Sequence, residues 1–183
     1  MRLSDTDNED AAATGKRLRL VALRALTRKE HGARELQRKL EKKGFPAEQV
    51  SQVLTSLQRE GLLNDNRYAA SFVRQHVLRG QGPCRIRAEL RTHGLAAEAI
   101  EQALAAADVD WQQLAREVRR KRFGANPPRT APERAKQGRF LQYRGFDSDQ
   151  IRAAFRGVTA SEELTEYSAD EARDPRDLDT DGS

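Results

Sequence analysis

Apolar residues recur at helical spacing through most of the chain, and the strict alternation expected of strands is nearly absent. Leu18, Ala22, Leu23 and Leu26 fall on one stripe, Leu36 and Leu40 on a second, and Val50, Val53, Leu54 and Leu57 on a third. Polar residues fill the remaining faces, so each segment reads as an amphipathic helix with one side to bury. The ends are marked as well. Gly44 suits the left-handed position after a helix, Pro46 is tolerated in the first turn of the next, and Gly61 closes the third.

This three-helix unit is repeated. Leu40, Gly44, Phe45, Val50 and Leu54 become Leu90, Gly94, Leu95, Ile100 and Leu104, then Leu141, Gly145, Phe146, Ile151 and Phe155. A leucine, a glycine four residues on, an apolar residue next, and two later apolar positions thus keep their order in three copies, the signature of a repeat architecture. The second helices also begin alike, because Pro83 and Pro132 each offer a proline at the first helical position, where the first copy has Ala33. The first helices are expected over Leu18 to Leu26, Tyr68 to Val77 with Asp65 as cap, and Trp111 to Phe123 with Asp110 as cap. Asp147 with Gln150 predicts a capping box for the last helix.

The resulting expectation is an all-α fold: an elongated tandem array of three three-helix repeats with disordered acidic termini. The repeats are placed at residues 16–64, 65–109 and 110–157. A unit of about 50 residues buries little surface alone, so neighbours must stack. Residues 1–15 and 158–183 fall outside the pattern. The latter segment has only Val158, Leu164, Tyr167 and Leu178 as sizeable apolar groups, too few to offset the entropy of ordering it.

Charge sharpens the division. The chain has 183 residues, with 33 Lys plus Arg against 28 Asp plus Glu, a net charge of +5. Residues 1–15 carry one base and four acids, and residues 158–183 carry two bases and nine acids, leaving +15 on residues 16–157. A basic body between acidic ends favours a polyanion or an acidic protein surface as partner. A single cysteine, Cys84, excludes an internal disulfide framework and fits a reducing compartment. No apolar run approaches the roughly 20 residues that span a bilayer, and no signal-peptide pattern opens the chain, so a cytoplasmic protein without membrane contact is expected.

Catalytic and cofactor motifs are missing. No phosphate-binding loop is present, and Gly80-Gln81-Gly82-Pro83 is a poor substitute because no strand precedes it and proline lacks an amide donor. His31, His76 and His93 are too dispersed for a metal site and read as surface or helix-end residues. No cofactor and no small-molecule substrate are expected. Tyr68, Phe72, Phe140, Tyr143, Phe146 and Phe155 recur at core spacing and read as packing residues rather than base-stacking platforms.

The informative constellation is cationic. Arg17, Arg19, Arg24, Arg28 and Lys29 decorate the first helix, with Arg74 on the fourth. Arg85, Arg87 and Arg91 follow on the fifth helix, Arg116, Arg119 and Arg120 share a face of the seventh, and Arg139 and Arg144 mark the eighth. Arginine matches carboxylate and phosphate in bidentate geometry, so these residues are candidates for binding a polyanionic partner.

Asp65-Asn66-Arg67-Tyr68-Ala69-Ala70-Ser71-Phe72-Val73-Arg74, then Gly82-Pro83-Cys84-Arg85-Ile86-Arg87-Ala88-Glu89-Leu90 and Gly94, resemble the central signature of the RecX family. Gln137-Gly138-Arg139-Phe140-Leu141 with Gly145-Phe146 is similar to that family's late element. The resemblance covers residues 18–157. It implies a non-enzymatic regulator of DNA repair, recombination and the SOS response that binds the RecA recombinase filament and the DNA within it. It further implies modulation, mostly inhibition, of recombinase, ATPase and coprotease activities. The candidate cations above would then be filament-binding residues of a monomer. The alternative from the residues themselves is a free-standing DNA- or RNA-binding helical protein.

Overall fold

The computed structural model describes residues 3–156, with side chains from Ala13 onward. Among the described residues there are nine helices and no strand: α1 (Leu3–Arg28), α2 (Ala33–Glu41), α3 (Ala47–Arg59), α4 (Asp65–Leu78), α5 (Pro83–Thr92), α6 (Ala97–Ala106), α7 (Trp111–Phe123), α8 (Ala131–Tyr143) and α9 (Ser148–Phe155). They group as three successive threes. The expectation of a disordered acidic tail at 158–183 lies outside the described residues.

Each unit has its own core. Leu18, Ala22, Leu36, Leu40, Val50, Leu54, Leu57 and Leu63 form the first, and Tyr68, Ala69, Val73, Ile86, Leu90, Leu95, Ile100, Ala103 and Leu104 the second. Ala115, Leu141, Phe146 and Ala154 centre the third. Extensive helix packing runs within the units, α1 and α2 on α3, α4 and α5 on α6, and α7 and α8 on α9. This follows from the stripes: a short amphipathic helix has one apolar face, and its nearest complementary faces are two helices of the same unit. Burying one leucine such as Leu36 or Leu90 contributes about 1.5–3 kcal/mol, so each core depends on few residues.

Several local expectations are met by local chemistry. Pro83 opens α5, Asp110 accepts from the Gln113 amide, and Asp147 with Gln150 closes a reciprocal capping box on α9. Gly44, Gly61, Gly94 and Gly145 all have positive φ.

Other expectations are corrected. The backbone of α1 begins at Leu3, ahead of the Leu18 start expected for the first helix, and takes in the strong helix formers Ala11, Ala12 and Ala13. Asn64, not Asp65, caps α4, accepting from the Asn66 and Arg67 amides at 2.9 and 3.1 Å. Asp65 instead reaches across to accept from the Ala33 amide at 2.8 Å, giving α2 the cap that Gly32 cannot supply. Pro132 is the second helical residue, behind Ala131 and the Thr130 cap. His31 and His76 are buried rather than superficial.

The junctions between units are made largely by helix ends. At the first, Gly32 lies against the Tyr68 ring, and the Arg34 side chain crosses the space where Gly94 would carry a Cβ. At the second, the Gly82 and Cys84 amides at the start of α5 donate to the Arg144 and Gly145 carbonyls at the end of α8, at 2.8 and 3.0 Å. Donors left over by one helix thus satisfy acceptors left over by another. The approach is close enough to exclude side chains: a Cβ on Gly82 would sit 2.6 Å from the Phe146 amide nitrogen.

Candidate functional site

The candidate cations divide into three groups. Arg17, Arg24, Arg28, Arg74, Arg91, Arg120 and Arg139 are exposed, and none makes an ion pair or side-chain hydrogen bond among the described residues. Arg17, Arg24 and Arg28 share one stripe of α1 by their spacing of seven and four, and exposed Leu20 lies between the first two. The seven are long, solvent-exposed cations, and no carboxylate among the described residues forms an ion pair with them.

A second group is exposed or half-buried but engaged. Arg19 grips Glu60 through both terminal nitrogens at 2.9 and 2.6 Å, and Arg87 grips Glu101 at 2.6 and 2.9 Å. Lys29 pairs with Glu35 at 3.0 Å and Arg85 with Glu89 at 2.8 Å. Hydrogen bonding to the carboxylate raises the pKa of Arg19, Arg85 and Arg87 above its ordinary value. Arg116 donates to the Ala153 carbonyl at 3.1 Å, and Arg144 to the Arg79 carbonyl at 2.9 Å while lying over Phe140. Exposed pairs of this kind are worth about 0–1 kcal/mol, so a competing carboxylate or phosphate can displace them.

Arg119 stands apart. Its spacing predicts a face shared with Arg116 and Arg120, yet it is 3% exposed and donates to the Asn126 carbonyl at 3.3 Å and to Gln137 at 3.2 Å. Burial lowers its pKa, although the guanidinium stays charged. It ties α7 to α8 and to the long connection between them. The physical reason is that α7 packs along both α8 and α9, covering a wider arc than an isolated amphipathic helix would bury.

A feature not singled out from the sequence lies between the first two units. A groove of about 350 Å³ is lined by Glu35, Arg38, Lys39, Lys42 and His93. The run Arg38-Lys39 and Lys42-Lys43 was the available signal. Beneath the groove, His31 Nδ1 lies 3.0 Å from Glu35, and the Tyr68 hydroxyl lies 2.5 Å from His93 Nδ1. Burial lowers the His31 pKa and outweighs the opposing pull of Glu35. Burial pushes Glu35 upward, but hydrogen bonding to Lys29 and the neighbouring His31 leave it below its ordinary value. Burial and nearby Glu35 raise the Tyr68 hydroxyl.

The aromatic residues also separate. Phe146 and Phe155 are buried and Phe140 is half-buried, as packing residues should be, whereas Tyr143 is 57% exposed, contrary to the core role expected of it. Among the described residues no group of three His, Cys, Asp or Glu could hold a metal ion, and no helix is long and apolar enough to cross a membrane. What the arrangement can do chemically is make many separate charge contacts along a series of small helical units.

Fold and surface together define a class: a tandem array of three-helix modules with a cationic exterior, a binding protein in form. Comparisons with known proteins refine this. Family descriptions of the first, second and third three-helix domains of RecX match residues 19–57, 64–104 and 108–155. The chain is 46% identical over 158 residues to the regulatory protein RecX of Halorhodospira halophila, covering 86% of this chain and 98% of that one. With the RecX protein of Ectopseudomonas mendocina it shares 45% over 140 residues, 76% and 93% of the two chains. The crystal structure of RecX from Lactobacillus salivarius has the same fold, with a TM-score of 0.67 at 22% identity over 80% of this chain and 97% of that one.

The chain belongs to the RecX family. It is a regulatory protein, not an enzyme, as its named relatives are.

Proposed function

We propose that this chain binds the RecA recombinase filament, together with the DNA inside it, and modulates it, mostly by slowing its recombinase, ATPase and coprotease activities. The observation that carries the reading is the set of exposed arginines that make no ion pair or side-chain hydrogen bond among the described residues, Arg17, Arg24, Arg28, Arg74, Arg91, Arg120 and Arg139, distributed over all three units. A filament repeats its surface, and a serial array can meet successive protomers with successive units. Arg19, Lys29, Arg85, Arg87, Arg116 and Arg144 reinforce the surface by exchanging internal acceptors for external ones. Arg119 is excluded from it by burial. The protein acts as a monomer, in the cytoplasm, without cofactor.

Titration into a DNA-stimulated RecA ATPase and strand-exchange assay tests this. Both activities fall as the regulator approaches stoichiometry with the filament, and no change at excess protein refutes the reading. Naked DNA is bound more weakly, with affinity falling steeply as salt rises. Equal affinity for naked DNA and filament would favour a free-standing nucleic-acid-binding protein instead.

A further inference from the structure

We propose that Tyr143 is a stacking platform for one unpaired nucleic-acid base, an inference that rests on the filament-and-DNA reading and deepens it. Tyr143 is the last residue of α8, and helical spacing sets it on the same side as Lys136 and Arg139, both exposed. The adjoining aromatics of this unit face inward. Tyr143 does not, and a large ring more than half exposed to water is an unsatisfied apolar surface with a polar tip.

The ring is held in place. The Arg85 guanidinium, from the second unit, lies 5.6 Å from its centroid and is itself anchored to Glu89 at 2.8 Å. A platform fixed in this way gives up little rotational freedom when a partner arrives. It also extends to an arginine–tyrosine pair, the combination on which single strands stack.

The surroundings select the occupant. Arg85 lies over the ring, and Lys136 and Arg139 share its side of α8 by helical spacing, while Glu89 is engaged by Arg85 and Asp147 by the α9 cap. Cations around an aromatic face match a base flanked by its phosphates. Duplex bases are already stacked on both faces, so the ring discriminates for unpaired strands and tolerates any sequence.

The test measures binding of oligo(dT) and oligo(rU), about 20 nucleotides long, and of a duplex, to wild type, Tyr143→Phe, Tyr143→Leu and Tyr143→Ala. Thermal unfolding first confirms that each variant is folded, as an exposed position allows. Tyr143→Phe binds both single strands like wild type, whereas Tyr143→Leu and Tyr143→Ala bind them roughly 5- to 100-fold more weakly. Duplex affinity is unchanged. The salt dependence of Tyr143→Ala matches wild type because no cation is lost, while Arg139→Gln lowers the slope by about one. An abasic strand erases the difference between wild type and Tyr143→Ala. Single-strand affinity of Tyr143→Ala within twofold of wild type overturns the proposal, as does an equal loss on the abasic strand. Loss of filament affinity with single-strand affinity intact means that the ring touches the recombinase protein, which overturns stacking and leaves the filament reading standing. Stacking on oligo(dT) by a wild type that ignores the filament supports the platform and refutes the filament reading.

Discussion

Gly82→Ala is the most exacting probe of how the units are joined. The φ of Gly82 is −85°, which any residue adopts, so the backbone itself resists nothing. The resistance is spatial: the new Cβ would lie 2.6 Å from the Phe146 amide nitrogen, where 3.4–4 Å is ordinary contact. The turn between α8 and α9 must therefore withdraw by about 1 Å, which breaks the bonds from the Gly82 and Cys84 amides to the Arg144 and Gly145 carbonyls. Leaving these groups unsatisfied costs about 1–3 kcal/mol for each bond, or about 2–6 kcal/mol in all. Gly44→Ala is the control. Its φ is +88° but nothing lies near a Cβ there, so only backbone strain of about 1–2 kcal/mol is incurred. Urea unfolding followed by circular dichroism reads both. Gly82→Ala is expected to lower stability more than Gly44→Ala and to split the transition, with the third unit melting first, as nearest-neighbour coupling in a repeat array allows. A Gly82→Ala protein within about 0.5 kcal/mol of wild type, or a more damaging Gly44→Ala, would refute the reasoning.

Four further outcomes follow from the environments of named residues. Arg119→Met exchanges a buried cation for an apolar chain of similar length and should change stability by less than about 1.5 kcal/mol while leaving the salt dependence of DNA binding intact. Arg120→Gln should leave stability alone and lower that slope by about one, and the reverse pattern would show that their environments have been misassigned. Burial lowers the pKa of His31 and of His76 below the ordinary 6.5, so the unfolded chain takes up protons more readily. Their contribution is complete above about pH 7 and is lost as pH falls below 6.5, so the urea midpoint drops between pH 7.5 and 5.5 and drops less in His31→Gln; a rising midpoint would contradict the sign. Asp65→Ala removes the acceptor for the Ala33 amide and should cost about 1 kcal/mol, with Asp65→Asn recovering most of it, as equilibrium unfolding would show.

Much of the architecture was legible because its determinants are local. The stripes of Leu36 with Leu40 and of Val50 with Leu54 and Leu57, the glycines at 44, 94 and 145, and the Asp147–Gln150 box act within one or two helical turns, so their meaning survives in a linear string. The repeat itself was visible for the same reason. The assignment of individual cations and aromatics was legible only in part. Helical phase set Arg119 beside Arg120 and Tyr143 among packing residues, yet the first is buried against Gln137 and the second stands in solvent under Arg85. Asp65 caps a helix that begins 32 residues before it in the chain, and buried His31 sits beside the groove between units. Each of these depends on which face meets the neighbouring helix or unit. Helix formation and capping are set by interactions a few residues apart, which the order of residues encodes directly. Which side chain a junction covers, anchors or leaves exposed is set by contacts between helix ends far apart in the chain, and only the packed tertiary structure decides it.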